Sequence, residues 1–149
     1  PSVVAIKLSE VPRIAVAAPS VLAGASVPKA PGDLAALPWL SLRTYYRNEL
    51  ALTHRVTGQN ERIALRPVMS TDNLFALRSA ALLGLGVCVG SAWMLADDIA
   101  QGRLVHVAPD WHAASLPVYI AYPHARFYPS RLLRFVAFMR DAVAPAIQG

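Results

Sequence analysis

One stretch, Met69–Gly102 (MSTDNLFALRSAALLGLGVCVGSAWMLADDIAQG), constrains the fold more than any other part of the chain. It reads as the end of a strand, a capped helix, a glycine turn, a short buried strand, a second helix and a second glycine stop. Ser70, Thr71, Asp72 and Asn73 crowd four polar helix-starting residues into one first turn. The first donors of a helix lack intrahelical acceptors, so such a start leaves backbone N–H groups to face a ligand. The pattern predicts a helix over Asp72–Leu83 stopped by Gly84, and a second over Ala92–Gln101 stopped by Gly102. Between them Gly86–Gly90 is apolar on both faces, which suits a strand in a parallel sheet.

The flanking sequence adds short elements. Val3–Leu8 (VVAIKL) and Arg13–Ala18 (RIAVAA) read as two strands of a hairpin turned at Ser9–Pro12. Pro19–Ala25 reads as a short helix with proline at its first position. A second short helix starts at Pro31-Gly32-Asp33, with Asp33 as its cap, and ends at Pro38. Trp39–Leu42 is a short buried strand. Glu49–Val56 and Arg62–Met69 form a hairpin around Thr57–Asn60. Arg103–Val107 and Pro117–Tyr122 are further strands, and Pro123–Tyr128 is a loop. Ser130–Ala144 is an amphipathic helix with Leu132, Val136, Met139 and Val143 on one stripe, stopped at Pro145. Helices alternating with strands, with a hairpin among them, give an α/β fold with a mixed sheet.

Composition narrows the class. Hydrophobic residues make up 55% and charged residues 15% of the 149, so the chain buries a core and is not disordered. The net charge is +5, but the twelve arginines are spread singly from Arg13 to Arg140 with no basic run. That distribution is a solvated basic surface and not a nucleic-acid stripe. The single cysteine, Cys88, excludes an internal disulfide and reads as a small buried hydrophobe within Val87-Cys88-Val89. Ala80–Val89 is too short to span a bilayer, and the chain start has no basic region followed by a cleavage pattern. A cytoplasmic setting fits these features.

No catalytic constellation is visible. Gly84-Leu85-Gly86 followed by Gly90 sits after a helix and before a strand, the reverse of a dinucleotide fingerprint. His54, His106, His112 and His124 lack metal-ligand spacing. Asp97 and Asp98 are adjacent on a helix, so they point about 100° apart and form no dyad; no basic partner lies nearby in sequence. Tyr45-Tyr46-Arg47 is either a stacking platform or packing. Ser70–Asn73 is either an ordinary helix cap, worth about 1 kcal/mol, or a helix start offering N–H groups and hydroxyls to a carboxylate.

Several segments resemble the effector-binding domain of LysR-type transcriptional regulators. Ser2–Leu8 with Arg13–Leu22 is similar to that family's SLVARRL…RVLVASPAYL. Pro31–Leu40 (PGDLAALPWL) resembles PEDLAxHxCL, and Thr71-Asp72-Asn73 with Ala80–Val89 resembles ND…A…AGLGIA. Leu95–Trp111 is similar to L…DLAxGRLVxVLPDW, and Pro117–Pro123 with Pro129–Phe138 to PVYxVYP…LPxRVRAFVDFL. Val21 stands where the family usually has an aromatic residue, and Trp39 where it often has cysteine.

The resemblance implies a periplasmic-binding-protein type II-like fold with a mixed sheet and two lobes around an effector cleft. The second lobe, residues 17–116, is expected complete. The first lobe is expected in part, from 1–16 and 117–149, and the winged helix-turn-helix domain to be absent. The implied role is sensing a small effector, with no cofactor, no metal and no catalysis; the polar helix start at Ser70–Asn73, with its N–H groups and the positive end of the helix dipole, points to a small organic anion. DNA would be held only through the missing domain, in a homodimer or homotetramer with no membrane attachment. The implied effector-binding residues are Ser70, Thr71, Asp72 and Asn73, with Gly86 and Val87 behind them. A transporter's solute-binding protein, which shares the fold, is the alternative.

Overall fold

The structure is a computed structural model that describes residues 2–24 and 26–148, with Gln148 as backbone only. Two compact units divide it: Pro1–Val11 with Ser115–Gly149, and Pro12–Ala114.

The larger unit holds most of the core. Its first strand is the second half of β1 (Val3–Ala17), which pairs antiparallel with β6 (Cys88–Ser91) in the register Arg13↔Ser91 to Val16↔Cys88. β7 (Val105–His106) also pairs with β1. β3 (Glu49–His54) and β4 (Asn60–Ala64) form the expected hairpin, and β3 pairs with the start of β8 (Trp111–Pro123). A separate two-stranded parallel sheet joins β2 (Trp39–Leu42) to β5 (Pro67–Thr71). Helices α1 (Pro31–Ala35), α2 (Leu74–Leu82) and α3 (Ala92–Ala100) complete the unit. Trp39, Leu40, Leu52, Leu77, Val87, Val89, Leu95 and Leu104 are buried at its centre.

The smaller unit consists of the first part of β1, the last part of β8 and α4 (Ser130–Gln148). Val136 is buried and Leu132, Met139 and Val143 are half-buried, so the expected stripe is the packed face of α4. Phe135 and Phe138 project to solvent.

Several elements depart from the sequence reading. The expected N-terminal hairpin is one continuous strand, β1. Ser9 and Val11 are buried and Glu10 is exposed, so the alternation of an extended chain runs through the supposed turn. Pro12 falls just before the β6 register begins at Arg13, where its lack of an N–H breaks no rung of that ladder. The helix expected at Pro19–Ala25 is a 3-10 turn over Pro19–Leu22, and Ala25 lies outside the described residues. Asp33 is not the cap of α1. It sits in the first turn, and its carboxylate reaches back to the N–H groups of Ala30 (3.2 Å) and Lys29 (3.3 Å).

The run Arg62–Met69 splits into β4 and β5 at Leu65-Arg66, because Pro67 opens a strand that pairs with β2. The buried strand after Gly86 begins at Cys88 and pairs antiparallel with β1; its parallel contact is one bridge, Trp39↔Val87. Arg103–Val107 contributes only the two residues of β7, and β8 starts six residues before Pro117. Pro145 does not stop α4.

Candidate functional site

α2 begins two residues later than its polar start suggests. Ser70 and Thr71 are the last residues of β5, because β2 offers them a parallel ladder in the register Ser41↔Ser70 and Leu42↔Thr71. Asn73 is the helix cap. Its Oδ1 accepts from the N–H groups of Phe75 (2.9 Å) and Ala76 (3.1 Å), and Thr71 Oγ1 accepts from Asn73 N (3.1 Å). Two of the donors expected to face a ligand are therefore engaged by Asn73 itself. Ser70 is exposed at the end of β5, and Asp72 is exposed at the turn into α2.

The neighbouring end of β2 supplies what the sequence reading missed. β2 stops at Leu42, and Arg43 N donates to Thr71 O (2.9 Å), tying the two strand ends together. Arg43, Thr44, Arg47 and Asp72 then line a cavity of about 280 Å³. Arg43 Nη2 lies 3.5 Å from Asp72 Oδ2, and both side chains are largely solvated, so the pair itself contributes at most about 1 kcal/mol. It does offset the charge of Asp72. Arg47 Nε donates to Arg43 O (3.1 Å). Two guanidinium groups against one carboxylate leave the cavity with net positive character. The arginines were legible only as scattered cations, since nothing in sequence spacing places residues 43 and 47 beside residue 72.

Gly86 and Val87 belong to the opposite end of β2. Val87 N donates to Pro38 O (2.8 Å), and Leu40 N donates to Val87 O (2.8 Å). The bridge Trp39↔Val87 is three residues along β2 from Leu42↔Thr71, about 10 Å in a strand. Gly86 is needed for close approach, since a Cβ there would sit 2.5 Å from Pro38 O. Val87 is fully buried. The structure thus brings Ser70, Thr71, Asp72 and Asn73 together but does not bring Gly86 and Val87 to them.

Other sequence candidates resolve into packing. Tyr46 is buried edge-on against Trp39, with centroids 6.4 Å apart, and burial pushes its phenol above its ordinary range. Tyr45 is exposed, with the Arg13 guanidinium 5.3 Å above its ring. Cys88 is buried and its thiol is pushed up to about 12 by burial. Asp98, expected to lack a basic partner, is fully buried and held by Arg78 and Arg103, which α2 and the turn after Gly102 bring to it. Among the described residues no three His, Cys, Asp or Glu side chains are grouped to hold a metal. A larger cavity of about 550 Å³ is lined by Leu22, Val27, Lys29, Asp33 and Leu37 among others, but the Asp33 carboxylate there already accepts from the N–H groups of Lys29 and Ala30.

A cavity at the carboxyl ends of parallel strands, beside the start of a helix, is where open α/β sheets receive small molecules. These features define a ligand-binding α/β domain. Residues 1–144 match the LysR substrate binding domain family, and the chain belongs to it.

The HTH-type transcriptional regulator PtxR of Pseudomonas aeruginosa is 33% identical over 139 residues, which is 92% of this chain and 44% of PtxR. The regulatory domain of AphB in Vibrio vulnificus superposes with a TM-score of 0.75 at 27% identity, covering 93% of this chain and 68% of that one. The full-length Vibrio cholerae virulence activator AphB gives 0.76 at 27% identity, covering 93% and 47%. The chain spans less than half the length of PtxR and of full-length AphB. The family resemblance and the type II periplasmic-binding-like fold expected from sequence both stand, and the relatives are transcriptional regulators and not enzymes. Among the described residues no helix is long and apolar enough to cross a membrane.

Proposed function

We propose that this chain is the effector-sensing part of a bacterial transcriptional regulator acting in the cytoplasm, and that its effector is a small organic anion. The observation that carries this reading is the Arg43–Thr44–Arg47–Asp72 cavity at the strand ends, flanked by Ser70, Thr71 and the Asn73-capped start of α2. A carboxylate there meets guanidinium donors, each hydrogen bond to a charged group being worth about 1.5–3 kcal/mol. The positive end of α2 adds about 0.3–1 kcal/mol. Gly86 and Val87 contribute from behind, by fixing β2 through close packing. Residues 17–116 act as the second effector lobe, and 1–16 with 117–149 as part of the first.

Occupancy changes regulation only through unequal affinity for two arrangements of the assembled protein. That assembly is a homodimer or homotetramer, and its DNA contact lies in a domain outside this chain. Family membership disfavours the transporter reading.

The test is a thermal-shift screen of small carboxylates, amines and neutral solutes against the full-length regulator, followed by titration of the hits. Ser70→Ala with Thr71→Val, and separately Arg47→Gln, should each weaken the best carboxylate at least ten-fold. Unchanged affinity in both variants would remove this site. A screen in which only amines or neutral solutes bind would remove the anion.

A further inference from the structure

The two strands that meet at Trp39↔Val87 begin as a regular parallel ladder. Val87 N donates to Pro38 O and Leu40 N donates to Val87 O, both at 2.8 Å. The next rung of such a ladder runs from Val89 N to Leu40 O, and the one after ends on Val89 O. Neither bond forms. The phenol of Tyr46 stands in the gap instead. Its hydroxyl accepts from Val89 N (2.9 Å), and its proton is donated to Leu40 O (3.0 Å), with Val89 O also within 3.3 Å. One hydroxyl thus takes over three backbone groups of the missing rungs.

The same residue is fastened at its backbone. Tyr46 N and Tyr45 N both donate to Leu42 O (3.0 and 2.9 Å), and Ser41 Oγ donates to Tyr46 O (2.8 Å). Tyr46 therefore joins the end of β2, the turn that follows it, and β6. That turn carries Arg43, Thr44 and Arg47, the cavity residues. Resting on the proposed function above, we propose that Tyr46 is a positioning residue for this cavity. Its hydroxyl is an inserted rung that keeps the carboxyl ends of β2 and β6 apart and holds the Arg43–Arg47 turn in place.

Tyr46→Phe keeps the ring and removes only the hydroxyl, leaving Val89 N–H and Leu40 C=O buried without that partner. The comparison is Leu52→Val, a core truncation on β3, away from the turn. Amide hydrogen exchange is followed by NMR on the whole chain in wild type and both variants. The amides of Val89 and Tyr45 should exchange at least ten-fold faster in Tyr46→Phe, beyond any increase they share with Leu52→Val. Equal exchange of these amides in the two variants overturns the positioning role.

A second arm titrates sodium acetate, the simplest carboxylate, and follows the Thr44 and Arg47 amide shifts. Saturable binding by wild type that Tyr46→Phe weakens at least five-fold supports the role, and equal binding overturns it. If wild type shows no saturable shift, the anion reading of the cavity fails. The exchange rates then decide the role of Tyr46 alone.

Discussion

Replacing Asp98 by asparagine should cost about 2–3 kcal/mol at neutral pH. Its side chain is fully buried between α2 and α3. Arg78 donates Nε to Oδ2 (2.6 Å) and Nη2 to Oδ1 (2.8 Å), while Arg103 donates Nε (2.9 Å) and Nη2 (2.5 Å) to Oδ1. Asparagine keeps the volume but turns an NH2 group towards donors and leaves two guanidiniums without a counter-charge. Removing one partner of a buried pair typically costs about 3–5 kcal/mol. The arginine side chains are 30% and 45% exposed, so water replaces part of what they lose, and the lower figure applies.

For a chain of this length that corresponds to a melting temperature lower by about 4–12 °C. The pH dependence tests the cause. Burial alone would raise the Asp98 pKa, but the two guanidiniums more than offset this and hold it below the ordinary carboxylate value. The ionised side chain therefore stabilises the fold fully above the unfolded pKa, about 3.9. That stabilisation is lost as pH falls through the lower folded value. Urea unfolding of both proteins at pH 7, 5 and 3 should show a gap that is constant between 7 and 5 and narrows at 3. A gap below about 0.5 kcal/mol at pH 7, or one equal at pH 3 and 7, would refute the reasoning.

Asn73→Ala removes the acceptor of two helix-start donors and should cost about 1 kcal/mol, read from the urea midpoint. Gly86→Ala places a methyl group against the Pro38 carbonyl and should destabilise by about 1–3 kcal/mol. Gly32→Ala, with open space around its Cβ position, should not show this overpacking cost. The thiol of Cys88, raised to about 12 by burial, should react with a water-soluble disulfide reagent at pH 8 only as fast as the protein opens. Rapid labelling without denaturant would contradict that burial. Duplex DNA should attract this chain weakly and without sequence preference, and the attraction should vanish in gel shifts at physiological salt.

The helices and glycine stops of Met69–Gly102 were legible because caps and stops are local. Gly84 and Gly102 both adopt left-handed backbone, as a helix stop requires. Strand pairing was less legible. Ser9–Pro12 carries turn-like residues, yet these residues are part of the single strand β1, whose neighbours in the sheet are far away in sequence. Ser70 and Thr71 have the chemistry of a helix start, and only the presence of β2 made them strand. The polar residues 70–73 could be picked out because they are contiguous. Arg43 and Arg47 could not, because their place beside Asp72 depends on a parallel pairing across 29 residues. Arg78 and Arg103 were unreadable as partners of Asp98 for the same reason.

The larger unit is a single uninterrupted segment, entered at Pro12 and left at Ala114. Its two ends touch: Arg13 Nε donates to Ala114 O at 2.6 Å. A segment whose entry and exit abut behaves as a cassette. Its ends could be joined by a short linker, and new termini opened in a surface loop such as the β3–β4 tip around Gly58, without re-routing any strand of the unit. Every residue of the proposed anion site at the ends of β2 and β5 lies within this one segment, so the site can be tested on the unit re-cut and rejoined in this way.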